Sequence, residues 1–286
     1  MDITTERTRF WGMLALAAVY TCILAWRDEM GSPLFAWALI GLAVLGGLAF
    51  FWWTTHSGQS RQARAIFFFA AGAFAFYSLI PLLFNILYRL FPRSSLIWHV
   101  PGMDYIAELL YYAMPIIGAW YLFQYAAPDN WRERFFLRLN WFGEDWAILG
   151  GFALITAIVM WLYLHFGGSS SGWNPLNTQK LTAAFIIFGV LSAAANALME
   201  ELWFRGYFLG LSARLIPPGW AIAATALMFG FLHFKDGIPQ GWLGLILAGI
   251  YGLALAWWTW KRGSIWQAVA LHFTTDLVIF FGANIR

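Results

Sequence analysis

Long apolar runs separated by short connections constrain this chain more than any other feature. A helix that crosses a bilayer needs roughly 20 mainly apolar residues. Nine stretches meet that need: 10–26, 33–53, 65–88, 105–126, 146–166, 181–212, 219–234, 241–260 and 264–281. In hydrocarbon every backbone polar group must be paired within the segment, so such runs become helices. The longest connections are 54–64, 89–104, 127–145 and "GGSSSGWNPLNTQ", too short to hold a soluble domain. The expected fold class is therefore all-α, a polytopic transmembrane helical bundle of about 8–9 spans.

Composition agrees. Of 286 residues, 61% are hydrophobic and only 11% charged, against about 25% charged in a soluble domain. The net charge of +3 reads as membrane topology and not as nucleic-acid binding. Aromatic clusters such as Phe51-Trp52-Trp53 and Trp257-Trp258 fall at span ends, as an interfacial belt does. The single cysteine, Cys22, lies inside the first run and excludes an internal disulfide. That first run follows Arg7 and Arg9, but its exit "CILAWRDEM" offers no small-x-small cleavage site, so it is expected to stay as a span.

Basic residues orient the bundle. With a cytoplasmic N-terminus, the inner segments carry Arg7, Arg9, Arg61, Arg64, Arg132, Arg134, Arg138, Arg205, Arg214, Lys261 and Arg262. The outer segments carry Arg27, Arg89, Arg93, Lys180, Lys235 and Arg286. Eleven against six of the 17 favours the N-terminus inside.

Ionisable residues inside spans cost about 2.5–3.5 kcal/mol each on insertion scales, and they mark functional sites by default. Three groups stand out. "MEELWFRGYF" places Glu200 and Glu201 before Arg205. Glu201 and Arg205 are four apart and share a helix face, so they are expected to pair. Glu200 points about 100° away and is expected to face something else. "FGFLH" sets Phe229 one turn before His233, and "HFTTD" sets His272 one turn before Asp276. Asn196, one turn before Glu200, is a candidate support for that carboxylate.

Depth ties the groups together. The sixth and seventh spans reverse near Arg214 to Gly219, which puts Glu200 and His233 each roughly 21 Å from the turn. The last two spans reverse near Lys261 to Gly263, on the same side, which puts His272 and Asp276 roughly 14 and 20 Å away. All four are expected in one layer of the bilayer.

A buried glutamate and a histidine facing one water-accessible pocket can activate water. A second histidine backed by a polar residue can stabilise the oxyanion of a tetrahedral intermediate. That is peptide or ester hydrolysis. The sequence contains no H-E-x-x-H, and "GGSSSG" at 167–172 has no base beside it. No cofactor is expected, although Glu200, His233 and His272 with a water would also make a three-ligand zinc site. The same buried charges in a non-catalytic transporter or bacteriocin-immunity binding protein are the alternative from another class.

In order, "EELWFRG" (200–206), "FGFLH" (229–233) and "HFTTD" (272–276) resemble the motifs of the CPBP family, the CAAX proteases and bacteriocin-processing enzymes also called Abi. Those motifs are E-E-x-x-x-R, F-x-x-x-H and H-x-x-x-N or H-x-x-x-D. The resemblance covers about residues 181–281. It implies a glutamic-type intramembrane endopeptidase with a catalytic core at 141–286 and accessory helices at 1–140. By this resemblance Glu200 and His233 hold and activate the water, Glu201 pairs with Arg205 in support, and His272 with residue 276 forms the oxyanion hole. Position 276 is aspartate where the prenyl-protein proteases carry asparagine, and an ionised aspartate would repel an oxyanion. Either Asp276 is protonated or it orients His272 from behind, and the second is the expectation. The implied partners are a membrane protein or lipidated peptide substrate and the lipid bilayer, with no nucleic acid. The implied location is the bacterial inner (plasma) membrane.

Overall fold

The structure, a computed structural model, describes residues 103–126, 131–166, 182–235 and 238–284. The expected spans at 10–26, 33–53 and 65–88 lie outside the described residues, as does the serine-rich "GGSSSG". The described residues form helices and connections, with no strand. The helices are α1 (Met103–Ala126), the short α2 (Trp131–Arg134), α3 (Gly143–Phe166), α4 (Ala183–Glu201), α5 (Leu209–Ser212), α6 (Pro218–Lys235), α7 (Gly241–Arg262) and α8 (Trp266–Asn284). Five of the last six expected spans each coincide with one of these, within two or three residues at most ends, and the sixth, 181–212, runs from α4 to α5. Between α4 and α5 the chain does not break. It passes through a π-helical segment, Leu202–Phe208, that apolar periodicity does not announce.

Among the described residues, three helical stretches are long and apolar enough to cross a membrane: Gly143–Tyr163, Ala183–Ser212 and Gly241–Arg262. Their relation to the core differs sharply. In α3, Trp146, Leu154, Ile155, Ile158 and Trp161 are exposed, an apolar surface of the kind that lipid covers. The chain from Met199 to Ser212 is buried throughout. Around it packs an aromatic core in which Phe123 stacks on Phe135 at 4.5 Å and Phe135 on Tyr207 at 5.9 Å. Trp203, wholly buried, donates its indole N–H to the Pro115 carbonyl at 3.0 Å and so fastens α1 to the π segment.

Small residues set the closest helix contact. A Cβ added at Gly230 of α6 would lie 2.6 Å from the Leu245 carbonyl oxygen and 3.2 Å from Gly249 Cα. One added at Gly244 of α7 would lie 2.5 Å from the His233 carbonyl oxygen. Backbone therefore touches backbone between α6 and α7, as small-residue stripes permit in membranes. That contact brings the Phe229–His233 turn of α6 against α7.

A polar network closes the end of the bundle where α7 turns into α8. Gly263 adopts φ 65°, the left-handed cap that lets its N–H return to the Thr259 carbonyl at 2.8 Å. Arg262 Nε pairs with the buried Asp145 Oδ1 at 2.8 Å, and Glu144 also pairs with Arg262. Asp145 Oδ2 accepts from Phe142 N–H at 2.8 Å and from Gln267 Nε2 at 3.1 Å. One carboxylate thus caps α3 and ties it to both α7 and α8. Arg262, a topology charge in the sequence reading, has local partners here.

The Gly230→Ala variant should drive α6 from α7 and lower stability by about 1–3 kcal/mol, the usual cost of overpacking. Gly219→Ala, with nothing within 4 Å of the added carbon, is the control expected to leave it unchanged. Thermal unfolding in detergent measures the difference.

Candidate active site

α4 delivers two adjacent carboxylates to the end of its regular turns, just before the backbone widens into the π segment. Glu201 Oε1 accepts from Arg205 Nη1 at 2.7 Å, and both side chains are almost wholly buried, at 0% and 1% exposure. This is the pair expected from the i,i+4 spacing. Desolvating two such ions costs several kcal/mol each, which their attraction returns only with good geometry and further partners. Arg205 finds them: its guanidinium lies 4.4 Å from the centre of the Phe229 ring on α6, and Nη2 reaches the Gly252 carbonyl on α7 at 3.5 Å.

The second partner of Glu201 is not foreseen from spacing. His272 Nδ1 lies 2.7 Å from the same Oε1. A carboxylate can only accept, so Nδ1 carries the proton and Nε2 is turned the other way. Two carboxylates stand on that side: Glu200 Oε2 and Asp276 Oδ1, each 3.6 Å from Nε2. The two adjacent glutamates therefore diverge, as their helical angle requires, and yet meet opposite edges of one imidazole.

That arrangement corrects one expectation. Glu201 orients His272 from behind, and Asp276 lies on the Nε2 side. Asp276 is one turn along α8 from His272, which brings it beside the ring edge facing the cavity. Asn196 stands beside Glu200, as expected, and also donates its amide N–H to Asp276 Oδ2 at 3.0 Å, which links α4 to α8.

His233 is built differently. Its Nδ1 lies 3.1 Å from the carbonyl of Phe229, one turn back on α6. A carbonyl accepts only, so Nδ1 donates and the neutral ring presents a lone pair at Nε2. Phe229 carries three tasks. Its carbonyl fixes His233, its ring face meets Arg205, and its ring stands at 86° to His272 with centroids 5.9 Å apart.

Glu200, His233, His272, Asp276 and Asn196 all line one cavity of about 460 Å³. The groups expected at one depth thus share one space. Glu200 Oε2 is buried and makes no hydrogen bond among the described residues; its nearest charged neighbour is His272 Nε2, at 3.6 Å. Apolar side chains of α3 and α7, among them Phe152, Ile155, Val159, Leu247 and Ile250, also line the cavity. Among the described residues, no three His, Cys, Asp or Glu side chains are grouped to hold a metal ion.

Residues 182–278 match the family described as "Rce1-like: Type II CAAX prenyl endopeptidase Rce1-like". That segment is Rce1-like. The matched segment holds all three motifs and Asn196, and it bears out the resemblance read from them. A family of that description implies a protease acting on membrane-associated substrates. The long apolar helices agree with an integral membrane protein. No curated protein and no solved structure matches the chain.

Sequence reasoning missed Tyr251 and Thr275, which line the Rce1-like cavity beside His272. The only trace was a tyrosine between glycines in the otherwise apolar "AGIYGLAL". Removing the buried cation should be severe, because Arg205→Leu leaves Glu201 charged without its arginine. The expected loss is about 3–5 kcal/mol, measured by thermal unfolding, and Glu201→Gln with Arg205→Leu together should cost less than Arg205→Leu alone.

Proposed function

We propose that this protein is an intramembrane endopeptidase of glutamic type. It hydrolyses a peptide bond near the C-terminus of a membrane-associated or lipidated protein. The observation that carries the reading is the cavity where Glu200 meets two histidines whose inner nitrogens are both committed. Committed Nδ1 atoms leave each Nε2 to act on a reactant.

In this reading water lies between Glu200 and His233. Glu200 takes a proton from it while the His233 Nε2 lone pair accepts a hydrogen bond from its other hydrogen. The water oxygen bonds to the scissile carbonyl carbon, and the carbonyl electrons move onto oxygen. His272, holding a proton on Nδ1 for Glu201 and a second on Nε2, donates to that oxyanion. The carbonyl then re-forms, the C–N bond breaks, and protonated Glu200 returns its proton to the leaving amine. Glu201 and Arg205 keep the His272 ring in place and touch no reacting atom. Asp276 holds Asn196 and flanks Nε2; an asparagine there would keep an acceptor for Asn196 and add an N–H for the oxyanion.

The orientation we propose follows the basic-residue count, with the N-terminus cytoplasmic in a bacterial inner membrane and 8–9 spans in all. Residues 1–140 act as accessory helices to the core at 141–286, a role supported by the Trp203–Pro115 hydrogen bond.

A farnesylated CAAX-tail reporter peptide, incubated with the purified protein, tests the chemistry. Glu200→Gln and His233→Ala should each lower the cleavage rate by at least roughly a hundredfold, the low end of general acid–base contributions, while Tm stays near that of wild type. Asp276→Asn should stay within about tenfold of wild type, whereas His272→Ala should lose roughly 10²–10³, as removal of an oxyanion donor does. A chelator should leave the rate unchanged; chelator-sensitive cleavage restored by zinc would replace the glutamic reading with a zinc one. Full activity of Glu200→Gln would end it.

A further inference from the structure

The mechanism leaves one polar pair in the cavity unused. Tyr251 on α7 and Thr275 on α8 both line it, with the phenol oxygen 2.9 Å from Thr275 Oγ1. The direction of that hydrogen bond follows from counting protons. Thr275 Oγ1 has one proton and donates it to the Leu271 carbonyl at 3.1 Å, one turn back on the same helix. Its remaining capacity is acceptance, so Tyr251 is the donor. The phenol proton is then spent on Thr275, and what Tyr251 turns toward the cavity is a lone pair. An acceptor in an apolar-walled cavity suits a donor that arrives with the substrate.

Tyr251 also stands next to the reacting groups. Its ring meets His272 edge to face at 84°, with centroids 5.8 Å apart, and Thr275 immediately precedes Asp276. We propose that Tyr251 is a substrate-binding residue whose phenol oxygen accepts a backbone N–H of the substrate peptide close to the scissile bond. The assignment rests on the endopeptidase reading above and adds a register element to it. Glu200, His233 and His272 attend to the scissile carbonyl and its water, and Tyr251 fixes how the strand of substrate lies beside them. The ligand class is an extended peptide with a free amide N–H at one position. The phenol makes no bond and moves no proton in the reaction.

The alternative role for Tyr251 is to brace the His272 ring. The two roles separate in kinetics, since bracing acts on the oxyanion step and N–H acceptance acts on binding. Tyr251→Phe keeps the ring against His272 and deletes only the oxygen. With the farnesylated reporter it should raise KM roughly three- to tenfold, the value of a neutral hydrogen bond, with kcat within about twofold and an unchanged pH profile. A set of reporters N-methylated at successive amides near the scissile bond supplies an arm that does not depend on the variant. At one position N-methylation should raise KM for wild type and have no further effect on Tyr251→Phe. A fall in kcat with a shifted pH profile and unaltered KM would overturn the proposal in favour of bracing. So would N-methyl effects that add fully to Tyr251→Phe at every position. No cleavage of the unmodified reporter by wild type would overturn the endopeptidase reading and this assignment together, whereas cleavage with an unaltered KM in Tyr251→Phe overturns this assignment alone.

Discussion

One carboxylate oxygen organises the core. Glu201 Oε1 accepts from Arg205 and from His272, both at 2.7 Å. Arg205 in turn meets the Phe229 ring of α6 and the Gly252 carbonyl of α7. Four helical segments are thereby referred to one point. As a stabilising device this is poor value, because burying the ions costs several kcal/mol each before attraction is counted. As a positioning device it is strong. The low-dielectric surroundings that make an unpaired charge costly also penalise any displacement of the three partners. His272 consequently has one tautomeric edge for support and the other for chemistry.

Apolar packing carries the stability that this polar centre does not provide. The buried run from Met199 to Ser212 supplies Trp203, Phe204, Tyr207 and Phe208 to the core. Backbone contact at Gly230 and Gly244 holds α6 against α7, while Phe229 of α6 reaches Arg205 of the π segment. Asp145 does the corresponding work at the bundle end, capping α3 while holding Arg262 and Gln267. With that end fixed, the middle of α3 lends apolar side chains to the cavity that holds the carboxylates.

Much of this was legible from residue order. Spans 105–126 through 264–281 could be read because hydrocarbon imposes helices about 20 residues long. The Glu201–Arg205 pair follows from i,i+4 spacing, and the shared depth of Glu200, His233, His272 and Asp276 follows from helical rise and the position of turns. Asn196 stands beside Glu200, as its spacing implies, and also reaches Asp276. Asp276 was misplaced because one-dimensional spacing ranks a bond within its own helix first, whereas the contact between α4 and α8 offered it Asn196. The π segment had no sequence signal at all, since its widened turn is settled by what packs around it, such as the Phe123 and Phe135 contacts at Gly206.

By itself, the sequence determined that the chain is built of long apolar helices and that Glu200, Glu201, Arg205 and His272 lie inside them. Those properties depend on hydropathy and on rise per residue, both local to a segment. Which edge of His272 each glutamate meets, which way the Tyr251 proton points, and which apolar side chains share the cavity with the carboxylates were decided only by tertiary structure. Each depends on the rotation of one helix against its neighbours, and that rotation is set by side chains far apart in the chain.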